Sequence, residues 1–211
     1  VFYIPIITFD GSMNGTLTNT LVKSLNNTTF LYDEFIIINY IDICNNAFQN
    51  YRNFKKVIFD TSLQMIGTNA FYDCRGISRG LNLPSSLTSI GDRAFMYCNQ
   101  LPSVTFEDSI TTIGGYAFYN CTELSGPLTL PTNITTIASN AFCYCPNLSG
   151  TLTLPNTVTT ISDNAFYGCS GINGSLNLPN DLVTIEDRAF YGCSSLTGLE
   201  ISGNVTSIGD K

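Results

Sequence analysis

Eight cysteines and no histidine bound the chemistry open to this 211-residue chain. Thiolates can serve as nucleophiles, hold zinc or pair as disulfides. Without an imidazole, neither a Ser-His-Asp nor a Cys-His relay can be assembled from these residues. Cys143 and Cys145 form a Cys-x-Cys, but two ligands do not make a zinc site. The paired acids Glu107–Asp108 and Glu186–Asp187 have simpler uses than acid–base catalysis. Asp187 sits where a helix cap belongs, and the others fall at turns where solvation is expected. No reaction class is favoured: the residues point away from an enzyme, with no cofactor and no metal.

Six of the cysteines (Cys74, Cys98, Cys121, Cys145, Cys169 and Cys193) follow one beat. It is set by the dipeptide Ala-Phe at 47–48, 70–71, 94–95, 117–118, 141–142, 165–166 and 189–190, every 23 or 24 residues. Such a period means stacked coils sharing one core. An isoleucine stands four residues before each alanine, from Ile43 and Ile66 to Ile185, and again at Ile208. Leucines two apart, such as Leu81 and Leu83 or Leu152 and Leu154, share one face of a short strand. Pro84, Pro131, Pro155 and Pro179 then end it. Asn45, Thr68, Asp92, Ser139, Asp163 and Asp187, two residues before alanine, are helix-capping types. The pattern therefore predicts a helix of one to two turns through each Ala-Phe, with the cysteine on its inner side.

Helices packed about 8–10 Å apart against strands about 4.8 Å apart would curve the stack. That spacing would also keep neighbouring cysteines beyond the roughly 7 Å Cα reach of a disulfide. Free, buried thiols are expected, with Cys44 and Cys143 off the column as the exposed, reactive pair.

The pattern Leu-x-x-Leu-x-Leu-Pro-x-x-Leu-x-x-Ile-Gly-x-x-Ala-Phe-x-x-Cys, clearest from Leu81 to Cys98 and from Leu176 to Cys193, resembles the BspA-like, or Treponema pallidum type, leucine-rich repeat. The resemblance covers about Tyr40 to Lys211. It implies an α/β fold, a right-handed solenoid of about eight coils. Residues 1–39 fit poorly, with Glu34 at an apolar strand position. They are expected to form a degenerate or non-repeat cap, with a strand at Ile4–Phe9 and a helix near Leu17–Leu25, ahead of an array over 40–211.

The formal charge is −7, and no basic residue lies between Arg93 and Arg188, so a nucleic-acid footprint is missing. No apolar run approaches the roughly 18 residues that span a bilayer; Phe35–Ile43 is broken by Asn39 and Asp42. The chain opens on Val1 and stops at Lys211, so both ends read as trimmed, with any targeting segment or anchor outside them.

Two surfaces are candidates for protein binding. Tyr72, Tyr119, Tyr167 and Tyr191 each follow a phenylalanine and predict an aromatic stripe. The bland alternative is that each ring covers the helical turn of its own coil. Asn82, Thr105, Thr129, Thr153 and Asn177 occupy the outward strand position. Threonine ladders also stabilise strand stacking by themselves, so structure alone could account for them. Sequons at Asn14, Asn26, Asn27, Asn120, Asn133, Asn147, Asn173 and Asn204 are what an Asn/Thr-rich chain produces by chance.

The resemblance implies a cell-surface or extracellular antigen that adheres to host cell-surface or matrix proteins such as fibronectin. The competing reading is a cytoplasmic interaction scaffold or structural array, which reduced cysteines would also suit.

Overall fold

Leucine pairs, proline stops and the isoleucine column translate into strands in a computed structural model that describes residues 6–17, 32–201 and 204–210. Three strands come first: β1 (Ile6–Leu17), β2 (Tyr32–Ile43) and β3 (Phe54–Phe59). Then follow β4 (Met65–Ile66), β5 (Leu81–Asn82), β6 (Ser89–Ile90), β7 (Val104–Thr105), β8 (Thr112–Ile113), β9 (Thr136–Ile137) and β10 (Thr160–Ile161). The last four are β11 (Gly174–Asn177), β12 (Thr184–Ile185), β13 (Leu196–Glu200) and β14 (Ser207–Ile208).

Every pairing is parallel and joins equivalent residues of successive coils. Ile43 pairs with Ile66, Ile66 with Ile90, and Ile90 with Ile113. Beyond a lapse between β8 and β9, Ile137, Ile161, Ile185 and Ile208 continue the column. The result is a parallel β-solenoid of about eight turns, with one residue column per sequence position. Leu63, Ile66, Phe71, Leu87, Ile90, Phe95, Ile110, Phe118 and Phe166, drawn from three of these columns, are buried.

The expected helices are absent among the described residues; each Ala-Phe segment is a run of tight turns. Two residues per turn take left-handed backbone angles, one before the alanine and one three after it. They are Asn69 (φ 54°) and Asp73 (φ 56°) in one coil, and Arg93 (φ 55°) and Tyr97 (φ 63°) in the next. A helix needs consecutive right-handed residues, so this alternation ends it at once. Alternate N–H groups are turned out toward the neighbouring coil instead. Phe48, Phe71, Phe95, Phe118, Phe142 and Phe166 each donate to the alanine carbonyl of the following coil at 2.7–2.9 Å. The residue before alanine donates to the next coil in the same way, as Asn69 N does to Asp92 O at 2.9 Å. The acceptor side chains read as helix caps work across coils too: Asn45 Oδ1 accepts from Thr68 N at 2.8 Å, and Asp92 Oδ1 from Gly115 N at 2.8 Å.

Turns stack more closely than helices. Phe48, Phe71, Phe95, Phe118, Phe142, Phe166 and Phe190 form one continuous stack with centroids 4.9–5.6 Å apart and planes within 11° of parallel. The wide helical layer invoked to curve the stack, and to separate the sulfurs, therefore does not exist. All eight thiols are nonetheless free. The Sγ–H of Cys74, Cys98, Cys121, Cys145, Cys169 and Cys193 donates to the phenylalanine carbonyl of the preceding coil at 3.0–3.3 Å. Burial raises the Cys145 thiol to about 12 and the Cys193 thiol to about 11, which makes them inert packing groups. Cys143 was expected to be exposed, but it is 2% exposed and burial raises it to about 12; Cys44 alone is partly open.

At the N-terminal end β2 pairs with β1 on one side and with β3 and then β4 on the other. Phe35, not Glu34, pairs with Val57, so the apolar positions are Phe35 and Ile37. From Ile37 to Ile43 the chain is one residue shorter than from Phe59 to Ile66, and Asn39 takes φ 60° within that shorter span before Ile43 rejoins the column. Glu34 points outward and accepts from Lys56 Nζ at 3.0 Å. β1, Ile6–Leu17, runs past the strand expected at Ile4–Phe9; of the helix expected near Leu17–Leu25 only Leu17 is among the described residues, and it belongs to β1.

Candidate functional site

The turn side of the solenoid carries the aromatic stripe, and it is longer than the sequence suggested. Tyr72, Tyr119 and Tyr167 are half-buried and Tyr191 is 51% exposed. Two coils of the repeat have Met96 and Cys143 at that position, which should interrupt the stripe. There the next residue is tyrosine, and Tyr97 and Tyr144 fill the gaps. Tyr72, Tyr97, Tyr119, Tyr144, Tyr167 and Tyr191 form one unbroken ribbon with centroids 5.1–5.7 Å apart. The first four contacts are edge-to-face and the last is stacked. Single-register counting missed Tyr97 and Tyr144; the signal was tyrosine appearing one residue later in the coils that lack it earlier.

Each ring thus touches a neighbouring coil rather than only its own, and edge-to-face pairs of this kind contribute about 0.5–1.5 kcal/mol beyond burial. A hydrogen bond with Tyr167 raises the Tyr144 phenol, and burial raises that of Tyr119, so both stay neutral at physiological pH. The ribbon is a flat amphipathic strip whose rings are held in place by their neighbours. Arg93 lies over the Tyr116 ring at 5.4 Å, beside the strip.

The strand side carries the second candidate surface. Asn82, Thr105, Thr129, Thr153 and Asn177 are all exposed. Asn82 pairs with Thr105 and Thr129 bridges Thr153, while Asn177 pairs with Glu200. Ribbon and ladder lie on different flanks of each coil, and the structure does not merge them into one pocket. Among the sequons with described side chains, Asn133, Asn147, Asn173 and Asn204 are exposed, and Asn120 is half-buried. The Nδ2 groups of Asn133, Asn147 and Asn204 donate to carbonyls of the preceding coil at 2.6–2.8 Å.

Among the described residues no group of three metal-ligating side chains converges, and no helix is long and apolar enough to cross a membrane. What the surface offers is area and hydrogen bonding.

Comparison with known proteins places this geometry. The chain is similar to a leucine-rich repeat protein of Bacteroides ovatus, at 24% identity and a TM-score of 0.70 over 84% of this chain, and it spans only 45% of that one. It is also similar to a leucine-rich repeat protein of T. pallidum, at 25% identity and a TM-score of 0.56, covering 82% of this chain and 72% of the other. No curated protein matches it. Residues 23–149 and 126–211 match the BspA type leucine rich repeat region, in six copies. The chain belongs to the BspA-type leucine-rich repeat family.

Proposed function

We propose that this chain is a non-catalytic adhesion module, displayed at a cell surface, that grips a protein partner along the tyrosine ribbon. The observation that carries this reading is the continuity of six rings from Tyr72 to Tyr191 across coils in which the repeat itself supplies only four. Core packing does not require it, because the phenylalanine stack already fills the interior. Tyrosine is favoured at protein interfaces because it offers large area, a polar tip and little entropy to lose. The exposed row of Asn82, Thr105, Thr129, Thr153 and Asn177 would add polar contacts from the strand flank. The right-handed winding and the division into a cap over 1–39 and an array over 40–211 belong to the same reading.

The test is a chain in which Tyr72, Tyr97, Tyr119, Tyr144, Tyr167 and Tyr191 become serine. Binding is measured against immobilised host matrix proteins, fibronectin first, with circular dichroism to confirm the fold. Affinity should fall at least about tenfold, as loss of interface tyrosines does. Unchanged capture by a folded variant would remove the ribbon from the site.

A further inference from the structure

The tyrosine ribbon is electrically polar along its length. Six of the nine lysines and arginines lie between residues 52 and 93, so the ribbon starts among bases. From Asp163 to Asp210 the chain holds six acids and one base, Arg188, so the ribbon ends among acids.

Those acids stand in register with the rings. Asp163 precedes Tyr167 by four residues, and Asp187 precedes Tyr191 by four. In the coil of Ala165 the two share a double turn, with Ala165 N donating to Ser162 O at 3.2 Å and Tyr167 N to Asn164 O at 3.1 Å. Across coils, Asp187 N donates to Asp163 Oδ1 at 3.0 Å and Asp210 N to Asp187 Oδ1 at 2.8 Å. These bonds fix Asp163 and Asp187 through one oxygen each, and both residues are exposed. At the last coil ring and acid face the same space. Tyr191, Glu186 and Asp210 line one cavity of about 290 Å³ together with Leu199, Ile208 and Arg188.

The rings on this half are also open to a partner: Tyr144 is 43% exposed, Tyr191 51%, and Tyr167 is half-buried. The basic end shows what such rings accept. The Arg93 guanidinium lies over the Tyr116 ring at 5.4 Å, and Tyr116 touches Tyr119 of the ribbon at 5.6 Å. A guanidinium stacks on a tyrosine face through its plane and pairs with a carboxylate through its fork, which a lysine ammonium cannot do. Its methylene stem can lie along aliphatic side chains such as Leu199 and Ile208. An acidic partner segment would be repelled here, and a wholly apolar one would strip water from unpaired carboxylates.

We infer that the acidic half of the ribbon, Tyr144, Tyr167 and Tyr191 with Asp163 and Asp187, receives an arginine-bearing segment of the protein partner. The inference deepens the adhesion reading and rests on it for that partner, whereas the arginine chemistry can be tested without one. The probe is a blocked Gly-Arg-Gly-Arg-Gly peptide, titrated into the isotope-labelled chain and followed by two-dimensional NMR. Amide shifts should cluster at Tyr144, Asp163, Tyr167, Asp187 and Tyr191. The same peptide with citrulline in place of arginine should give none. Shifts centred elsewhere, or equal binding of the citrulline peptide, would overturn the site. A Gly-Lys-Gly-Lys-Gly peptide binding as tightly would overturn the assignment to arginine.

Asp163→Asn combined with Asp187→Asn keeps an acceptor oxygen for each backbone N–H and removes two charges. It should weaken the arginine peptide about tenfold, the effect of losing charge-assisted pairing. Glu107→Gln combined with Asp181→Asn removes the same charge from exposed positions off the ribbon and should leave binding unchanged. Equal losses in the two double variants would reduce the effect to net charge and overturn the site. Matrix capture lost in the tyrosine-to-serine chain, with no binding of the arginine peptide to the parent, would keep the ribbon and overturn the arginine assignment. Capture unchanged in that chain, with peptide binding lost only in the Asp163 and Asp187 variant, would overturn the adhesion reading and leave the arginine site standing.

Discussion

The two flanks of each coil are joined to their neighbours in different ways. On the turn flank, three backbone bonds cross every junction from the coil of Ala70 to that of Ala189. At the junction after Phe95, for example, Arg93 N, Phe95 N and Tyr97 N donate to Gly115, Ala117 and Tyr119 at 2.8–2.9 Å. The phenylalanine stack and the thiol-to-carbonyl bonds run through the same junctions. On the leucine flank, strand pairing comes in fragments: β5 with β7, β11 with β13, and single bridges such as Thr129 to Thr153. What keeps the coils in register is therefore the Ala-Phe turn together with the paired isoleucine strands, and the leucines contribute mainly burial. The stripe of candidate binding residues that is best ordered, the tyrosine ribbon, rides on that turn.

This contrast can be broken most strongly at its centre. Phe142 is 1% exposed and stacked on Phe118 and Phe166 at 5.5 and 5.6 Å. Phe142→Ala should cost about 3–5 kcal/mol, read as a large drop in Tm, and should loosen the coils on either side. A melting temperature equal to the parent's would contradict the role given to the stack.

A smaller effect sharpens the turn flank's charge. Burial works to raise the Asp73 carboxyl, but hydrogen bonds from Arg52 and Arg75 outweigh it and hold the group below its ordinary 3.8. A depressed native pKa stabilises the fold above the unfolded value and loses that contribution as pH falls through the native one. Asp73→Asn should therefore cost about 1–2 kcal/mol at neutral pH. The gap to the parent should close below pH 3.8 in denaturant titrations, and a gap that widens in acid would refute the pairing. The smallest change belongs to the leucine flank: Thr129→Ala, on the exposed ladder, should stay within about 0.5 kcal/mol. A loss comparable to that at Phe142 would reverse the ranking of the two flanks.

Much of this architecture was legible from residue columns. Isoleucine four before alanine, paired leucines and inward cysteines all fall where the beat puts them, because a solenoid buries the same position of every coil. The helices were not legible correctly. Capping types and an i, i+4 spacing fit a helix, but they fit a cross-coil turn equally well. Asn69, Asn140, Asn164, Gly168 and Gly192 favour the left-handed angles that distinguish the two, whereas Arg93, Tyr97, Tyr116, Tyr144 and Arg188 adopt them without any such preference. Their left-handed backbones each cost about 1–2 kcal/mol, a cost offset only by bonds to the neighbouring coil. The ribbon was half visible for a related reason: Tyr97 and Tyr144 leave the repeat register but reach the same strip in space.

Sequence alone determined the period, the core columns, the lack of a histidine-based relay and the concentration of positive charge before residue 94. Those follow from residue type and spacing along one chain. Tertiary structure decided what the Ala-Phe segment becomes, that Asp73 grips two arginines from successive coils, and that six tyrosines touch in sequence. Each of these depends on the roughly 5 Å approach of neighbouring coils, a distance set by where a turn's N–H groups find their acceptors.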